Sequence, residues 1–279
     1  MKKHIKKPIL YILVGLTLCL ISGVAITQNL RISIPLASTS HAPFTIRGDA
    51  ELDAFCAGDG TDGLSWETAH VIENLEITGG GTETALGIED TTRYLIIRSC
   101  TLENSQDYMG CLDIANCTNI NVTDCIMKNN DYEGIIIIRS TNILIKNNEI
   151  FETSKGIQFY GEMYESSDII VTQNEIHDVS GSGIVAVNLD NSEISYNTIK
   201  NTPGYGISLE SPCENNELIC NSFKNTGFGD IKDEGTSNTI TDTGCPGISI
   251  PFYVWIIVGV AGATVLTTVI VIVVKKKRK

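Results

Sequence analysis

Three stretches of the sequence follow one pattern: Thr141–Ile150 (TNILIKNNEI), Asp168–Ile176 (DIIVTQNEI) and Asn191–Ile199 (NSEISYNTI). Each contains an apolar residue, two polar residues, an asparagine, one further residue and a second apolar residue. More distant copies extend the pattern in both directions, with Asn or Cys in the central slot. The central residues are 23 to 26 positions apart and are Cys100, Cys125, Asn148, Asn174, Asn197 and Asn221.

Two further features recur with the same period. An Ile, Val or Leu precedes each central residue by three positions, and an apolar residue follows it by two. A small residue followed by an apolar one forms a second anchor in each unit. These pairs are Gly87-Ile88, Cys111-Leu112, Gly134-Ile135, Gly156-Ile157, Gly183-Ile184 and Gly206-Ile207.

A period of this length, built from short β-type segments separated by Gly, Asn, Ser and Thr, predicts a parallel β-solenoid. Leucine-rich repeats share the period, but the apolar slots here are mostly isoleucine, which favours strands. Each turn is expected to contain a strand starting at the Gly-Ile pair, a second strand such as Asn142–Ile145 and a third such as Glu149–Phe151. The central Asn or Cys is expected within a tight turn, where Asn tolerates a left-handed backbone and its amide can bond the next turn about 4.8 Å away. These six central residues are therefore predicted to form a structural ladder.

The repeats resemble those of the pectate lyase-like superfamily, in particular the group that contains the NosD family and other carbohydrate-binding and sugar-hydrolysis domains. The resemblance covers roughly residues 69 to 245. It implies an all-β, right-handed, single-stranded parallel β-helix of about seven coils. It also implies an N-terminal cap, which we expect at Ala50–Trp66.

The two ends of the chain predict a membrane protein. Phe252–Val274 has 23 residues without a charge, which suits a transmembrane helix better than a buried core helix, and the basic residues that follow mark the cytoplasmic side. Near the start, an apolar run behind four lysines resembles an export signal, which is either cleaved or kept as an anchor. The predicted organisation is a signal or signal anchor (1–30), a linker and cap (31–68), a β-helix outside the cell (69–247), a transmembrane helix (250–274) and a basic tail (275–279). This is a single-pass type I topology.

Charge excludes one class of partner. The chain has 20 basic and 33 acidic residues, but nine of the basic residues lie at the two ends, so the part between them carries a net charge of −22. A nucleic-acid binder needs a basic face. We therefore expect no nucleic acid, and partners limited to the membrane and an extracellular glycan or surface protein.

Nine cysteines occur, of which Cys19 lies in the signal. Export permits disulfides. Cys100 and Cys125 share a slot on adjacent turns, and Cys111 and Cys117 lie on one turn, so these four are the disulfide candidates. Cys213, Cys220 and Cys245 lie too far along the axis to reach the first group, which predicts at most three bridges and at least one unpaired thiol in each group. The alternative is eight reduced cysteines in ladder and core slots.

Catalytic candidates are few. The outward slots of the Gly-Ile strands read Glu89, Asp113, Ile136, Gln158, Val185 and Ser208, so carboxylates occur only on the first two. A lyase would need carboxylates that hold Ca²⁺ together with a basic residue, and a hydrolase would need paired carboxylates. Glu133 and Lys155 also lie nearby. The catalytic candidates are Asp113, Asp131 and Arg139, the calcium candidates are Glu89, Asp107, Asp113 and Asp131, and no other cofactor is expected.

Aromatic residues support binding instead. Tyr108, Tyr132, Tyr205 and Phe228 precede the glycine region of four turns at the same edge, where their rings could stack on sugars or shield the core. Two glycosylation sequons begin at Asn116 and Asn121. His41, His70 and His177 show no metal-ligand spacing. The sequence thus favours a cell-surface protein for glycan binding, adhesion or envelope structure, with a membrane-tethered polysaccharide lyase or glycoside hydrolase as the alternative.

Overall fold

The structure is a computed structural model, and it describes residues 38–81, 83–105, 108–161, 165–242, 245, 256–258 and 269–271. Within these ranges the chain winds through three parallel sheets, with successive turns stacked on one another. A series of seven regular turns begins at Leu75 and ends at Thr241. The predicted β-helix of about seven coils is confirmed.

Each sheet takes one strand from every turn. Sheet 1 contains β1 (Thr39–His41), β4 (Leu75–Thr78), β7 (Thr101–Glu103), β10 (Ile126–Asn130), β13 (Glu149–Thr153), β16 (Glu175–His177), β20 (Thr198–Thr202) and β23 (Ser222–Thr226). Sheet 2 contains β2 (Phe44–Arg47), β5 (Leu86–Glu89), β8 (Leu112–Ala115), β11 (Ile135–Ile138), β14 (Ile157–Tyr160), β17 (Ile184–Val187), β21 (Tyr205–Glu210) and β24 (Gly229–Asp233). Sheet 3 contains β3 (His70–Glu73), β6 (Leu95–Arg98), β9 (Thr118–Thr123), β12 (Thr141–Lys146), β15 (Ser166–Thr172), β19 (Glu193–Ser195), β22 (Glu217–Ile219) and β25 (Thr239–Thr241), and β18 (Leu189–Asp190) also pairs with β15.

The first turn differs from the others because a helix interrupts it. Strands β1 and β2 pair in parallel with β4 and β5, so the helical stack begins at Thr39, earlier than the predicted boundary at residue 69. Helix α1 (Gly48–Phe55) and a 3₁₀ turn (Trp66–Thr68) then precede β3. Leu52 of α1 is fully buried within the apolar core, in the segment that was predicted to be the cap.

Side chains alternate inward and outward along the regular part of a strand, as the period of two requires. In β12, Ile143 and Ile145 are buried while Lys146 is exposed, and Ile145 lies in register between Val122 and Val171 of the adjacent turns. At this slot isoleucine stacks on β-branched neighbours, and other core isoleucines stack on Leu, Met or Phe, as Ile150 does on Met127.

The glycines of the second anchor are required by close packing. A Cβ atom on Gly134 would lie 2.3 Å from a methyl carbon of Ile150, and one on Gly156 would lie 2.5 Å from a methyl carbon of Ile176. The first unit departs from the predicted alignment. Leu86, not Ile88, pairs with Leu112, so Ala85-Leu86 occupies the anchor position and Gly87 stands opposite Asp113.

The asparagine ladder is continuous through four turns. The side-chain oxygen of Asn174 accepts from the backbone N–H of Asn148 at 2.9 Å and from its amide at 3.0 Å, and Asn197 and Asn221 repeat this geometry. The left-handed backbone lies one position earlier than expected, for example at Asn147 (φ 58°). The ladder asparagine itself turns inward, because only an inward amide reaches the buried backbone of the neighbouring turn.

A second ladder, which the repeat pattern did not predict, lies at another corner of the turn. The Ser192 N–H donates to the side-chain oxygen of Asn216 at 3.0 Å, and the Asn216 N–H donates to that of Asn238 at 2.8 Å. Both ladders satisfy backbone groups that cannot reach water, a requirement of any buried corner.

The prediction that Cys100, Cys125, Cys111 and Cys117 form disulfides is wrong. All four are buried free thiols, as are Cys56 and Cys213. In a parallel ladder neighbouring Cβ atoms stay about 4.8 Å apart, beyond the roughly 3.8 Å of a disulfide. The extended strand β8 lies between Cys111 and Cys117 and holds them apart.

One bridge is present among the described residues. It joins Cys220 to Cys245, with Cα atoms 5.5 Å apart, and leaves Cys213 unpaired. The prediction of at most three bridges with an unpaired thiol in each group agrees with this arrangement.

Both membrane predictions fall largely outside the described residues. The predicted signal at 1–30 does so entirely, as does the basic tail at 275–279. Of the predicted helix at 250–274 the structure describes β26 (Ile256–Val258) and β27 (Val269–Val271), an antiparallel pair made of β-branched residues that favour extended backbone. In the described ranges, no helix has the length and apolar character needed to cross a membrane.

We predict that Asn174→Ala lowers the free energy of unfolding by about 3 kcal/mol, because the buried Asn148 N–H and Ile145 carbonyl lose their partner. Lys146→Ala, at an exposed position of β12, should change it by less than about 0.5 kcal/mol. Urea denaturation monitored by circular dichroism measures both. Equal effects of the two substitutions would contradict the structural role of the ladder.

We predict that, among the cysteines that the structure describes, alkylation of the denatured, unreduced protein labels Cys56, Cys100, Cys111, Cys117, Cys125 and Cys213, and that peptides containing Cys220 and Cys245 are labelled only after reduction. Peptide mass spectrometry reads this pattern directly. A peptide cross-linked through Cys100 and Cys125 would show that the ladder cysteines do oxidise.

Candidate functional site

The outward face of sheet 2 carries a groove over its first five strands. One hollow of about 370 Å³ is lined by Asp113, Met109 and Glu89 together with three tyrosines. A second of about 340 Å³ adjoins it, shares those three residues and extends toward Arg47 and Thr84. The two hollows therefore form one groove with Asp113 and Glu89 in the middle.

Register explains how these side chains meet. Asp113 follows Gly87 and precedes Ile136 in one outward row of sheet 2, whereas Glu89 belongs to the next row, opposite Arg47 and Ala115. The prediction that Glu89 and Asp113 share one outward row is therefore wrong, because in the first regular turn Gly87 takes that position. Glu89 is instead paired with Arg47, whose Nε lies 3.0 Å from Oε2.

Asp113 is held by two donors. The Gly110 N–H donates to Oδ1 at 2.9 Å and the Thr84 hydroxyl donates to Oδ2 at 3.1 Å. A Cβ atom on Gly110 would lie 2.7 Å from the same Oδ1, so this backbone approach requires glycine. Burial, reinforced by the charges of Glu133 and Glu89, outweighs both hydrogen bonds and raises the pKa of Asp113 to about 7.

A second carboxylate lies at the margin of the groove. The Glu133 side chain is 2% exposed, and its Oε1 accepts from Lys155 Nζ at 2.8 Å and from the Tyr160 hydroxyl at 3.2 Å. Its Oε2 is buried without a hydrogen-bond partner among the residues that the structure describes. Burial and the charge of Glu133 raise the pKa of Tyr160 to about 12, so the phenol keeps its proton at neutral pH.

The tyrosines form the wall of the groove. The rings of Tyr108 and Tyr132 are 4.7 Å apart and tilted by 43°, and Tyr108 is 80% exposed. Tyr160 is 39% exposed and is anchored through its hydroxyl. Two of these rings were predicted from the loop pattern, but Tyr160 was not, because it ends strand β14 instead of preceding it.

The remaining predicted residues lie elsewhere. Tyr205 and Phe228 form their own pair, 5.7 Å apart, three turns farther along sheet 2 than Tyr132. Asp131 is exposed and Arg139 lies in the turn after β11, and neither lines the groove. Asp107 lies outside the described residues. The structure thus brings together Glu89 and Asp113 from the predicted calcium set.

The two sequons differ in exposure. Asn116 is exposed and its amide donates to Asp90 at 2.7 Å. Asn121 is half-buried within β9. Glycosylation at these residues stays a prediction.

His70 is not isolated, contrary to the sequence interpretation. It lies beside Cys56 and Asp59, which the intervening loop brings to the start of β3. Burial and the adjacent Asp59 raise the pKa of the Cys56 thiol to about 11. Sequence separation of fourteen residues between Cys56 and His70 hid this cluster.

The chain belongs to the family described as the right handed beta helix region, whose match spans residues 61–223, more than half of the sequence. A mutant of the periplasmic alginate epimerase AlgG aligns with a TM-score of 0.55 and 16% identity over 62% of this chain and 44% of its own. An alginate lyase from Paenibacillus sp. aligns with a TM-score of 0.45 and 15% identity over 73% and 77% of the two chains. Tailspike protein 2 of bacteriophage CBA120 aligns with a TM-score of 0.46 and 13% identity over 72% and 35%.

These likenesses show the fold alone, and the chain spans less than half of the epimerase structure. No curated protein matches the sequence. The family match agrees with the right-handed β-helix that the resemblance implies.

We predict that Asp113 makes stability depend on pH between about 4 and 7. Because its pKa rises from 3.8 to about 7 on folding, the folded state binds the extra proton in this range. The stabilisation is complete below pH 4 and is lost as the pH rises through 7. Relative to Asp113→Asn, the native protein should lose about 2 kcal/mol across this range, allowing for partial exposure of the carboxyl group.

Unfolding of both proteins at several pH values measures the difference. Asp49→Asn is the matched control: burial acts to raise the pKa of Asp49, but hydrogen bonds from Thr92 and Thr91 lower it overall, so its contribution changes only below pH 4. A constant difference between native and Asp113→Asn proteins from pH 4 to 7 would contradict the raised pKa.

Proposed function

We propose that this protein binds a polysaccharide chain along the groove on sheet 2. The observation that carries the proposal is the row of tyrosines Tyr108, Tyr132 and Tyr160 beside a half-buried carboxylate, Asp113, on a rigid sheet. Aromatic rings offer a flat apolar surface to sugar rings, and carboxylates accept hydrogen bonds from sugar hydroxyls. The epimerase AlgG, whose name refers to alginate, supports a polysaccharide as the ligand class.

The geometry of the wall suits an extended ligand. Tyr160 is held by Glu133 and Tyr132 is packed against Tyr108, so little side-chain freedom is lost when a ligand stacks on them. Parallel strands keep the wall straight along the helix axis. A linear chain of sugars can follow such a wall, whereas a small compact ligand would fill only one hollow.

The charge of the groove favours neutral sugars. Glu83, Glu89 and Asp113 contribute carboxyl groups to the groove. Its basic residue is Arg47, which lines the second hollow. An acidic polysaccharide would meet repulsion unless a cation intervened. Glu89 is already paired with Arg47, which makes it a weaker calcium ligand. The proposal therefore does not include calcium, whose effect is measured in the test.

Polysaccharide cleavage is a second candidate, favoured by the raised pKa of Asp113. A carboxyl group that titrates near pH 7 can both donate and accept a proton at neutral pH. Glu133, held in place by Lys155 and by the Tyr160 hydroxyl, supplies part of the negative charge that raises this pKa. In this alternative Asp113 is the acid–base group and the tyrosines position the substrate.

We further propose that the protein is displayed on the outer face of a membrane. The predicted signal, the apolar run Phe252–Val274 and its basic tail support this location. The Cys220–Cys245 bridge also supports it, because disulfides persist in oxidising compartments. Adhesion or a role in envelope structure would follow from glycan binding at that surface.

We predict that the full-length protein, solubilised in detergent, binds neutral polysaccharides on a glycan array and that Tyr132→Ala weakens binding about tenfold through lost stacking. Tyr205→Ala is the matched control, since Tyr205 lies at the same edge three turns away and outside the groove. Reducing-end and unsaturated-sugar assays, with calcium or with chelator, test for cleavage. Turnover that Asp113→Asn abolishes would establish the second candidate.

Two outcomes would reject groove binding. One is the absence of binding to every glycan on the array. The other is an equal loss of affinity in Tyr132→Ala and Tyr205→Ala, which would move the ligand away from the groove.

A further inference from the structure

Three residues with metal-binding side chains meet at the interrupted first turn. Cys56 follows the last residue of α1, Asp59 lies in the adjoining loop and His70 is the first residue of β3. One potential ligand atom from each, the Cys sulfur, a carboxylate oxygen and a ring nitrogen, lies within 4.8 Å of the other two. Cys56 and His70 are buried, and Asp59 opens the cluster to solvent.

The orientation of His70 is set by a second carboxylate. Its Nε2 lies 3.0 Å from Asp53 Oδ1, and because a carboxylate accepts, Nε2 carries the hydrogen. Asp53 is itself fixed by two hydrogen bonds from Arg93, at 2.8 and 2.7 Å. A histidine whose outer N–H is bound by a carboxylate presents the lone pair of its other nitrogen, the arrangement found at protein metal sites.

The nitrogen that carries this lone pair, Nδ1, contacts the hydroxyl of Thr61. Nδ1 of His70 and Oδ1 of Asp59 lie 2.7 and 2.6 Å from the same Thr61 hydroxyl. In the neutral ring with Nε2 protonated, both atoms are acceptors, so the single hydroxyl hydrogen can serve one of them, while Asp59 Oδ1 also accepts from the Thr61 N–H at 3.0 Å. A cation between the ring and the carboxylate would bind the lone pair of Nδ1 and leave the Thr61 hydroxyl to Asp59.

We propose that Cys56, Asp59 and His70 bind a zinc ion. A thiolate, an imidazole and a carboxylate are the ligand types that zinc takes, and a water completes four-coordination. Calcium and magnesium prefer oxygen ligands alone, so the sulfur and nitrogen speak against them. The thiolate and the carboxylate also balance the charge of the ion.

The cluster needs only a small closure to reach zinc geometry. Tetrahedral zinc with these ligands places the ligand atoms roughly 3.4 to 3.6 Å apart, so the three groups must approach by about 1 Å. Cys56 is anchored by its N–H to Leu52 O at 3.0 Å, and His70 by its N–H to Tyr94 O at 2.9 Å. Asp59 is exposed on the loop and can move to close the site.

The bound ion would link the end of α1 to the start of β3. It would thereby stabilise the packing of the inserted segment against the first regular turns. Gly63 also belongs to this arrangement, since a Cβ atom there would lie 2.6 Å from the His70 ring. None of the three residues lines the groove, so the occupancy of the site is read separately from glycan binding.

The test uses the full-length protein in detergent, stripped with a chelator and titrated with zinc chloride against a chromophoric chelator. We expect one zinc per chain. Cys56→Ser and Asp59→Asn should each reduce affinity at least tenfold, and Asp53→Asn should reduce it 10- to 100-fold by releasing the ring. Cys213→Ser is the matched control, because Cys213 is also a buried free thiol and has no part in this cluster.

Cobalt substitution gives a second readout. A thiolate-to-cobalt charge-transfer band should appear in the native protein and in Cys213→Ser, and should be absent in Cys56→Ser. Asp59→Asn keeps the test decisive if Cys56→Ser fails to fold, because Asp59 is exposed. Failure of the folded native protein to take up zinc, or unchanged affinity in Asp59→Asn, would overturn the proposal, as would an equal loss in Cys213→Ser.

Discussion

The whole structure depends on the parallel stacking of one turn on the next at the spacing of paired strands. Because every backbone group at a corner must find a partner within about 4.8 Å along the axis, inward side chains at corners have to bond the neighbouring turn. The side-chain amides of Asn148, Asn174 and Asn197 do so. Each donates one hydrogen bond to a backbone carbonyl of the preceding turn and one to the side-chain oxygen of the next ladder asparagine. The same spacing stacks isoleucine on isoleucine, so a single constraint sets both the polar corners and the apolar core.

The stacking also determines where function can arise. Seven regular turns present repetitive faces, so both proposed sites depend on side chains that the repeat does not fix. The groove runs over regular strands of sheet 2, where Thr84 and the Gly110 N–H hold Asp113 and tyrosines line the edge. The Cys56 cluster forms where α1 and its loop interrupt the first turn. The rigid solenoid holds the side chains of both proposed sites in place.

Particular residues show how far a site can be predicted. Asp113 was a candidate because its strand position points outward, and the structure places it at the centre of the groove. Glu89 was assigned to the wrong row, because Gly87-Ile88 resembles the anchor while Ala85-Leu86 takes its position. The burial of Glu133 could not be predicted from the sequence, because the residues that surround its carboxylate, Lys155 and Tyr160, lie on the following turn. Cys100 and Cys125 were placed in the correct slots but given the wrong chemistry, because proximity of Cα atoms does not bring Cβ atoms together.

The sequence by itself determined the repeat, the three strands of each turn, the slots of the ladder and the sign of the surface charge, because each of these follows from local periodicity and composition. Only the tertiary structure decided the register of the first unit, the burial of Glu133, the pairing of Cys220 with Cys245 and the meeting of Cys56, Asp59 and His70. Each of these depends on contacts between residues at least ten positions apart in the chain or on different turns. Such contacts are set by how turns stack and where loops fold back, which no local pattern encodes.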